Sequence, residues 1–182
     1  MCGEDPCKPS ASGPTAKCNA KIQKLIDEGK KQEAIDETIK HYGIDDTKTK
    51  EVVYDSSVSG EAAATKSGKV KVGDDAFSSP SWLASSLSHE IEIHVNNQAK
   101  KGNWYTGKEG TALQEVEAYD HEISHAKKFG TSKSEIKDLE NRRKSHYDQL
   151  SPDYKKRADK GCLLYTSPSP RDRTRSRMPS SA

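Results

Sequence analysis

Three residues in one short run could do chemistry together: His89, Glu90 and His94, within Ser86-Leu-Ser-His-Glu-Ile-Glu-Ile-His-Val-Asn-Asn-Gln98. Neutral imidazoles are ready ligands for a cation such as zinc, and a carboxylate beside them can move a proton. An acidic stretch, Gln114-Glu115-Val116-Glu117-Ala118-Tyr119-Asp120, follows about one helical hairpin later. It offers a third ligand. The combination predicts a Zn2+ site for peptide-bond hydrolysis, with His89, His94 and Glu115 on the ion and Glu90 as general base.

The spacing sets a geometric condition. In a regular α-helix each residue turns ~100°, so histidines four apart lie ~40° apart on one face. His89 and His94 are five apart, and a regular helix would separate them by ~140°. They can share an ion only if the helix is irregular between Ser88 and Val95. A π-turn, which absorbs one extra residue and concentrates at functional sites, is the expected irregularity.

A strict His-Glu-x-x-His also occurs, at His121-Glu122-Ile123-Ser124-His125. On a helix counted from Thr111, Ala112, Val116, Tyr119, Ile123 and Ala126 form the apolar stripe. His121 and His125 then point to the other side, followed by Lys127 and Lys128, and read as a solvated face. The same wheel puts Glu115 on the flank of the stripe and Glu117 further out, which favours Glu115 as the third ligand.

The His-Glu-x-x-x-His run resembles the motif of the dipeptidyl-peptidase III family. Glu115-x-x-Ala118 resembles the glutamate helix of gluzincin peptidases, where an acid usually follows the small residue. Tyr119 stands in its place here, and Asp120 is the alternative partner to orient a ligating histidine. Tyr105, Tyr119 and Tyr147 remain open as stabilisers of an oxyanion. Residues from about Lys50 to Arg157 resemble zincin-like domains at the C-termini of bacterial Rhs and related polymorphic toxins. That resemblance rests on Leu83-Ala84-Ser85-Ser86, His89-Glu90-x-x-x-His94 and Glu115-Val116-Glu117-Ala118-Tyr119. It implies an effector delivered as part of a larger toxin, with a protein or peptide substrate and an immunity protein as partner.

The elements that must position these residues follow from periodicity and caps. Ala16 to Glu28 and Gln32 to Tyr42 carry apolar residues at helical spacing and end at Gly29 and Gly43, which predicts an αα-hairpin. Lys50 to Asp55 and Lys69 to Val72 are short strand candidates separated by a polar loop, Ser56 to Ser67. Ser79 or Ser81 with Pro80 starts a helix to about Lys100. A loop from Gly102 to Gly110 leads to a helix over Thr111 to Phe129, closed by Gly130. Thr131 or Ser132 caps a helix to about Gln149, with Ile136, Leu139 and Tyr147 inward, and Ser151-Pro152 starts a final short turn or helix. The expected class is α+β, mostly α and zincin-like, with helices packed on a small antiparallel sheet.

Residues 162–182 resemble the in-frame translation of a sequencing-library adapter and are expected to be disordered and non-native. The chain has 30 Lys+Arg against 28 Asp+Glu; without that segment's four arginines and one aspartate its net charge falls from +2 to −1. The basic balance therefore gives no support to nucleic-acid binding. A metal-dependent nuclease built on His94, Asn96 and Asn97 is disfavoured by the near-neutral charge that remains and by the lack of a flanking Lys/Arg stripe; a catalytically inactive zincin-like binding domain is the other alternative. No run reaches the ~18 apolar residues of a membrane span, and no signal peptide is evident. Residues 1–14 read as a flexible segment and 15–161 as one domain. Cys2, Cys7 and Cys18 are an odd set matching no paired zinc pattern; one disulfide is an open alternative, and free thiols are the favoured expectation.

Overall fold

A computed structural model describes residues 16–96, 99 and 106–166. The expected flexible start, Asn97, Tyr105 and residues 167–182 lie outside the described residues.

Helices α1 (Ala16–Asp27) and α2 (Lys31–Tyr42) form the predicted hairpin. Its contact face is apolar: Ile22, Ala34 and Ile35 are wholly buried. Gly43 ends α2 in the left-handed conformation, φ 59°, and its N–H reaches the Ile39 carbonyl, a geometry that a side chain resists. Cys18 is also buried in α1 and is disulfide-bonded, which overturns the free-thiol expectation for that residue; Cys2 and Cys7 lie outside the described residues.

The sheet has three strands, β1 (Glu51–Tyr54), β2 (Ala62–Ala64) and β3 (Lys69–Val72), in the order β1-β3-β2. β1 runs parallel to β3, with Val52 opposite Val70, while β2 runs antiparallel to it, with Ala64 opposite Val70. The sheet is mixed, not antiparallel as expected. The unforeseen strand is the reason: the chain crosses from β1 to the far side of β3, forms β2 there, and returns through the turn at Thr65–Gly68. Alternation in β3 works as the sequence suggests. Val70 and Val72 are wholly buried, while Lys69 and Lys71 pair outward with Glu51 at 2.6 Å and Asp55 at 2.7 Å.

Gly73 holds the crossing loop against the end of β3. Its N–H donates to the Glu61 carbonyl at 2.7 Å, and a Cβ there would lie 2.4 Å from the Gly60 carbonyl oxygen. No larger residue permits so close a backbone approach.

A 3-10 turn, Asp74–Ser78, leads into α3 (Pro80–Ser88). Ser79 caps α3 by accepting from the Trp82 N–H, with Pro80 in the first turn. The helix then widens into a π segment, His89–Val95. Next come α4 (Gly107–Phe129), α5 (Lys133–Asp148) and α6 (Pro152–Thr166). α4 starts earlier than expected. α6 is a full helix and continues past the boundary drawn at residue 161. Ser132 and Glu135 form a reciprocal capping box at the start of α5, satisfying two otherwise orphaned donors.

The fold is therefore α+β and mostly α. One core gathers α1, α2, the sheet, α3, the π segment and Phe129; a smaller one gathers Leu113, Val116, Leu150 and Ala158. α4 contacts α3, the π segment, α5 and α6. It is the long element against which the remaining parts are registered.

Candidate metal centre

The π segment supplies the geometric condition set by the sequence. Across its five-residue step the imidazoles of His89 and His94 lie with ring centroids 4.7 Å apart. Both are buried, at 8% and 7% exposure. Glu90 is somewhat more open. His89, Glu90 and His94 offer ligand atoms that all lie within 4.8 Å of one another, a group that can hold a metal ion.

Glu115 enters from α4. One of its oxygens lies 3.3 Å from His89 Nε2 and the other 3.4 Å from His94 Nε2. These separations are long for charge-assisted hydrogen bonds. Ligand atoms on a tetrahedral ion with bonds of ~2.0–2.2 Å stand roughly 3.3–3.6 Å apart, and each of these contacts, made by a different oxygen, is of that length. Glu90 belongs to the same group, but its Oε2 already accepts the Ala64 N–H of β2 at 2.7 Å. Glu115 faces both imidazoles at once and suits the third ligand position better.

Electrostatics divide the two histidines. Burial opposes charge on His89, but Glu115 and Glu122 overcome it and raise its pKa well above the ordinary imidazole value. His94 is pushed down to about 4, first by burial and then by the charge on His89. Burial also lifts the Glu90 carboxyl, against the pull of His89 and the Ala64 N–H. A carboxylate with raised affinity for a proton is suited to accept one near neutral pH.

Glu122 is a residue of the strict His-Glu-x-x-His motif to which the sequence reading assigns no role, and it is 3% exposed. Its Oε1 accepts from His89 Nδ1 at 2.6 Å, and its other oxygen accepts from the Ser85 hydroxyl. A hydrogen on Nδ1 leaves the Nε2 lone pair free to bind an ion, so Glu122 fixes the useful tautomer. His121 is likewise buried, at 9% exposure. Its Nε2 meets Ser88 and Glu92. The partly buried His125 bonds Ser124 and the His121 carbonyl through Nδ1. The solvated reading of this motif fails because its polar side packs against the polar side of α3 and the π segment. Two facing polar surfaces look the same in sequence as two wet ones.

The other expected residues separate. Asp120 forms a two-point ion pair with Arg143, at 2.5 and 3.1 Å; the carboxylate on His89 Nδ1 is Glu122 instead. Tyr119 sets its ring edge against His89 at a centroid distance of 5.1 Å. Burial, Glu115 and Glu122 push its hydroxyl up to about 12, so it remains a donor. Tyr147 donates to Asp159 and packs in the smaller core, away from the imidazoles. Tyr105 lies outside the described residues.

Of the groups above, His89, Glu90, Glu115, Tyr119 and Glu122 line a polar pocket of about 200 Å³ together with Glu61, Trp82 and Arg142. Arg142 crosses from α5 to the sheet side, placing Nη1 2.9 and 3.0 Å from the two Glu61 oxygens. Among the described residues no helix is long and apolar enough to cross a membrane. No protein-family model, curated protein or solved structure matches the chain.

Proposed function

We propose that this protein is a zinc-dependent peptide hydrolase, with His89, His94 and Glu115 holding the ion. The observation that carries the reading is the group of His89, Glu90 and His94, whose ligand atoms lie within 4.8 Å of one another, faced from α4 by Glu115 with one oxygen 3.3 Å from His89 Nε2 and the other 3.4 Å from His94 Nε2. Two imidazoles and one carboxylate form a donor set that zinc takes in catalytic sites, with a fourth position left for water. Zinc so held supplies Lewis acidity and brings the pKa of a water towards ~7.

The chain's own residues do the rest. Glu90, with its raised carboxyl, takes the proton of the attacking water and delivers it to the leaving amine. Tyr119 keeps its hydroxyl hydrogen and donates it to the charge that develops on the peptide oxygen. Glu122 and Ser85 hold the His89 ring. The likeness to the C-terminal domains of Rhs and related toxins extends the proposal to a delivered effector with a protein or peptide substrate and an immunity partner.

The test is metal analysis and peptide hydrolysis on the full chain. Wild type should carry one zinc per chain, and His94→Ala should lose both zinc and activity. Glu90→Gln should keep the zinc and lose hydrolysis. Zinc-free wild type would refute the metal reading; hydrolysis undiminished in Glu90→Gln would refute the mechanism. Zinc binding without any hydrolysis by wild type would identify a binding domain.

A further inference from the structure

Two His–Glu pairs join α4 to the π segment, and they run in opposite directions. His89 of the π segment bonds Glu122 of α4, and His121 of α4 bonds Glu92 of the π segment. The first pair serves the pocket directly. The second is bonded to Ser88 and to the Asp45 N–H.

This second pair is closely built. Ser88 Oγ donates to Glu92 Oε2 at 2.5 Å. Having spent its one hydrogen there, Ser88 can only accept from His121, so Nε2–H of His121 is shared between Ser88 at 2.8 Å and Glu92 at 3.0 Å. The other Glu92 oxygen accepts the Asp45 N–H at 3.2 Å. Ser88 is wholly buried. Glu92 thus ties the π segment to the preceding turn, to α4 and to the chain after α2.

A π-turn needs such support. Its wider winding is rare because a regular helix closes better hydrogen bonds. Relaxing this segment to α-helix would carry His94 to ~140° from His89. Residues 89 and 92 are anchored on consecutive residues of α4, Glu122 and His121. That double anchorage fixes the angular phase of the segment ahead of His94.

We infer that Glu92 and His121 are positioning residues: their pair holds the π register that sets His94 opposite His89. The inference rests on the metal reading proposed above. It makes ion affinity depend on a buried pair that does not touch the ion.

The experiment is zinc affinity by chelator competition, with the visible spectrum of the cobalt-substituted full chain. The variants are Glu92→Gln, which keeps volume but removes the charged acceptor, His121→Leu, and His121→Gln, which keeps a donor. Glu92→Gln and His121→Leu should bind zinc 10–100-fold more weakly, the range for partners that orient ligands. Their cobalt bands should lose the intensity of a tetrahedral site. His121→Gln should recover most of the affinity and the wild-type bands. The remote core variant Ile35→Val, destabilised but untouched at the site, should leave both readouts unchanged. Wild-type affinity and spectrum in Glu92→Gln would overturn the inference even if His121→Leu fails to fold. Failure of wild type to bind either metal would overturn the metal reading, and this inference with it.

Discussion

On the zinc reading proposed above, replacing Glu122 should weaken zinc binding, and by an amount that depends on pH. The wild-type carboxylate accepts from His89 Nδ1 at 2.6 Å inside the protein, a charge-assisted hydrogen bond of about 1.5–3 kcal/mol. Carboxylates in this position contribute about 10–100-fold to metal affinity, or about 1.4–2.7 kcal/mol. Glu122→Gln keeps an acceptor for Nδ1–H but loses the charge, and should fall near the 10-fold end. Glu122→Leu strands both Nδ1–H and the Ser85 hydroxyl, and should fall near the 100-fold end. The same carboxylate also raises the proton affinity of His89, and a proton there competes with the ion. A group whose pKa is raised in the fold stays charged until the pH climbs through that raised value. Zinc uptake by wild type must therefore displace that proton, and its affinity should rise with pH. Glu122→Gln relieves part of the competition, so its affinity should depend less on pH. The gap between the two should be small at pH 6.5 and widen towards pH 8.5. Chelator competition across that range gives the slopes. Equal affinities at pH 8.5, or a steeper slope in the variant, would refute the reasoning.

Three further outcomes test the scaffold. Ser132→Ala removes half of the capping box and should cost about 1 kcal/mol, a fall in Tm of about 2–4 °C; an unchanged Tm would deny the cap. Burial opposes ionisation of Glu135, but the Ser132 N–H and hydroxyl, then Ser79 and Ser81, lower its pKa overall. Its contribution is therefore present above about pH 4.5 and fades as the pH falls through the lowered value. Glu135→Gln should be less stable than wild type at pH 7 and approach it in acid, and a constant difference in urea midpoint would contradict this. Gly73→Ala places a Cβ 2.4 Å from the Gly60 carbonyl oxygen and should cost about 1–3 kcal/mol as the loop shifts. A Tm equal to wild type would show that the loop yields freely.

Local signals carried the sequence reading a long way. The five-residue spacing of His89 and His94 required a break in helical winding, and the π segment occupies that stretch. Ser79, Gly43 and the Ser132–Glu135 box mark ends through hydrogen bonds made within a few residues. Glu115 was legible because it flanks an apolar stripe. His121 was not, because α4 is covered on more than one side and a helical wheel allows only one buried face; Glu122 was passed over with the motif that contains it. β2 was missed for a different reason. Ala62-Ala63-Ala64 has neither alternation nor β-branched residues, and its place comes from backbone pairing with β3. The disulfide at Cys18 depends on spatial proximity that spacing alone does not encode.

The pocket draws its walls from distant parts of the chain: Glu61, Trp82, His89 and Glu90 from one stretch, Glu115, Tyr119, Glu122 and Arg142 from another. Chains emerge from the ribosome N-terminus first, at roughly 5–20 residues per second. A nascent chain that has just released the π segment holds both histidines but neither Glu115 nor Glu122. Its His89 then lacks the Glu122 carboxylate that sets its tautomer, and neither imidazole yet faces Glu115, the proposed third ligand. Synthesis thus acts as a timer, and the centre stays unfinished until α4 has emerged and docked.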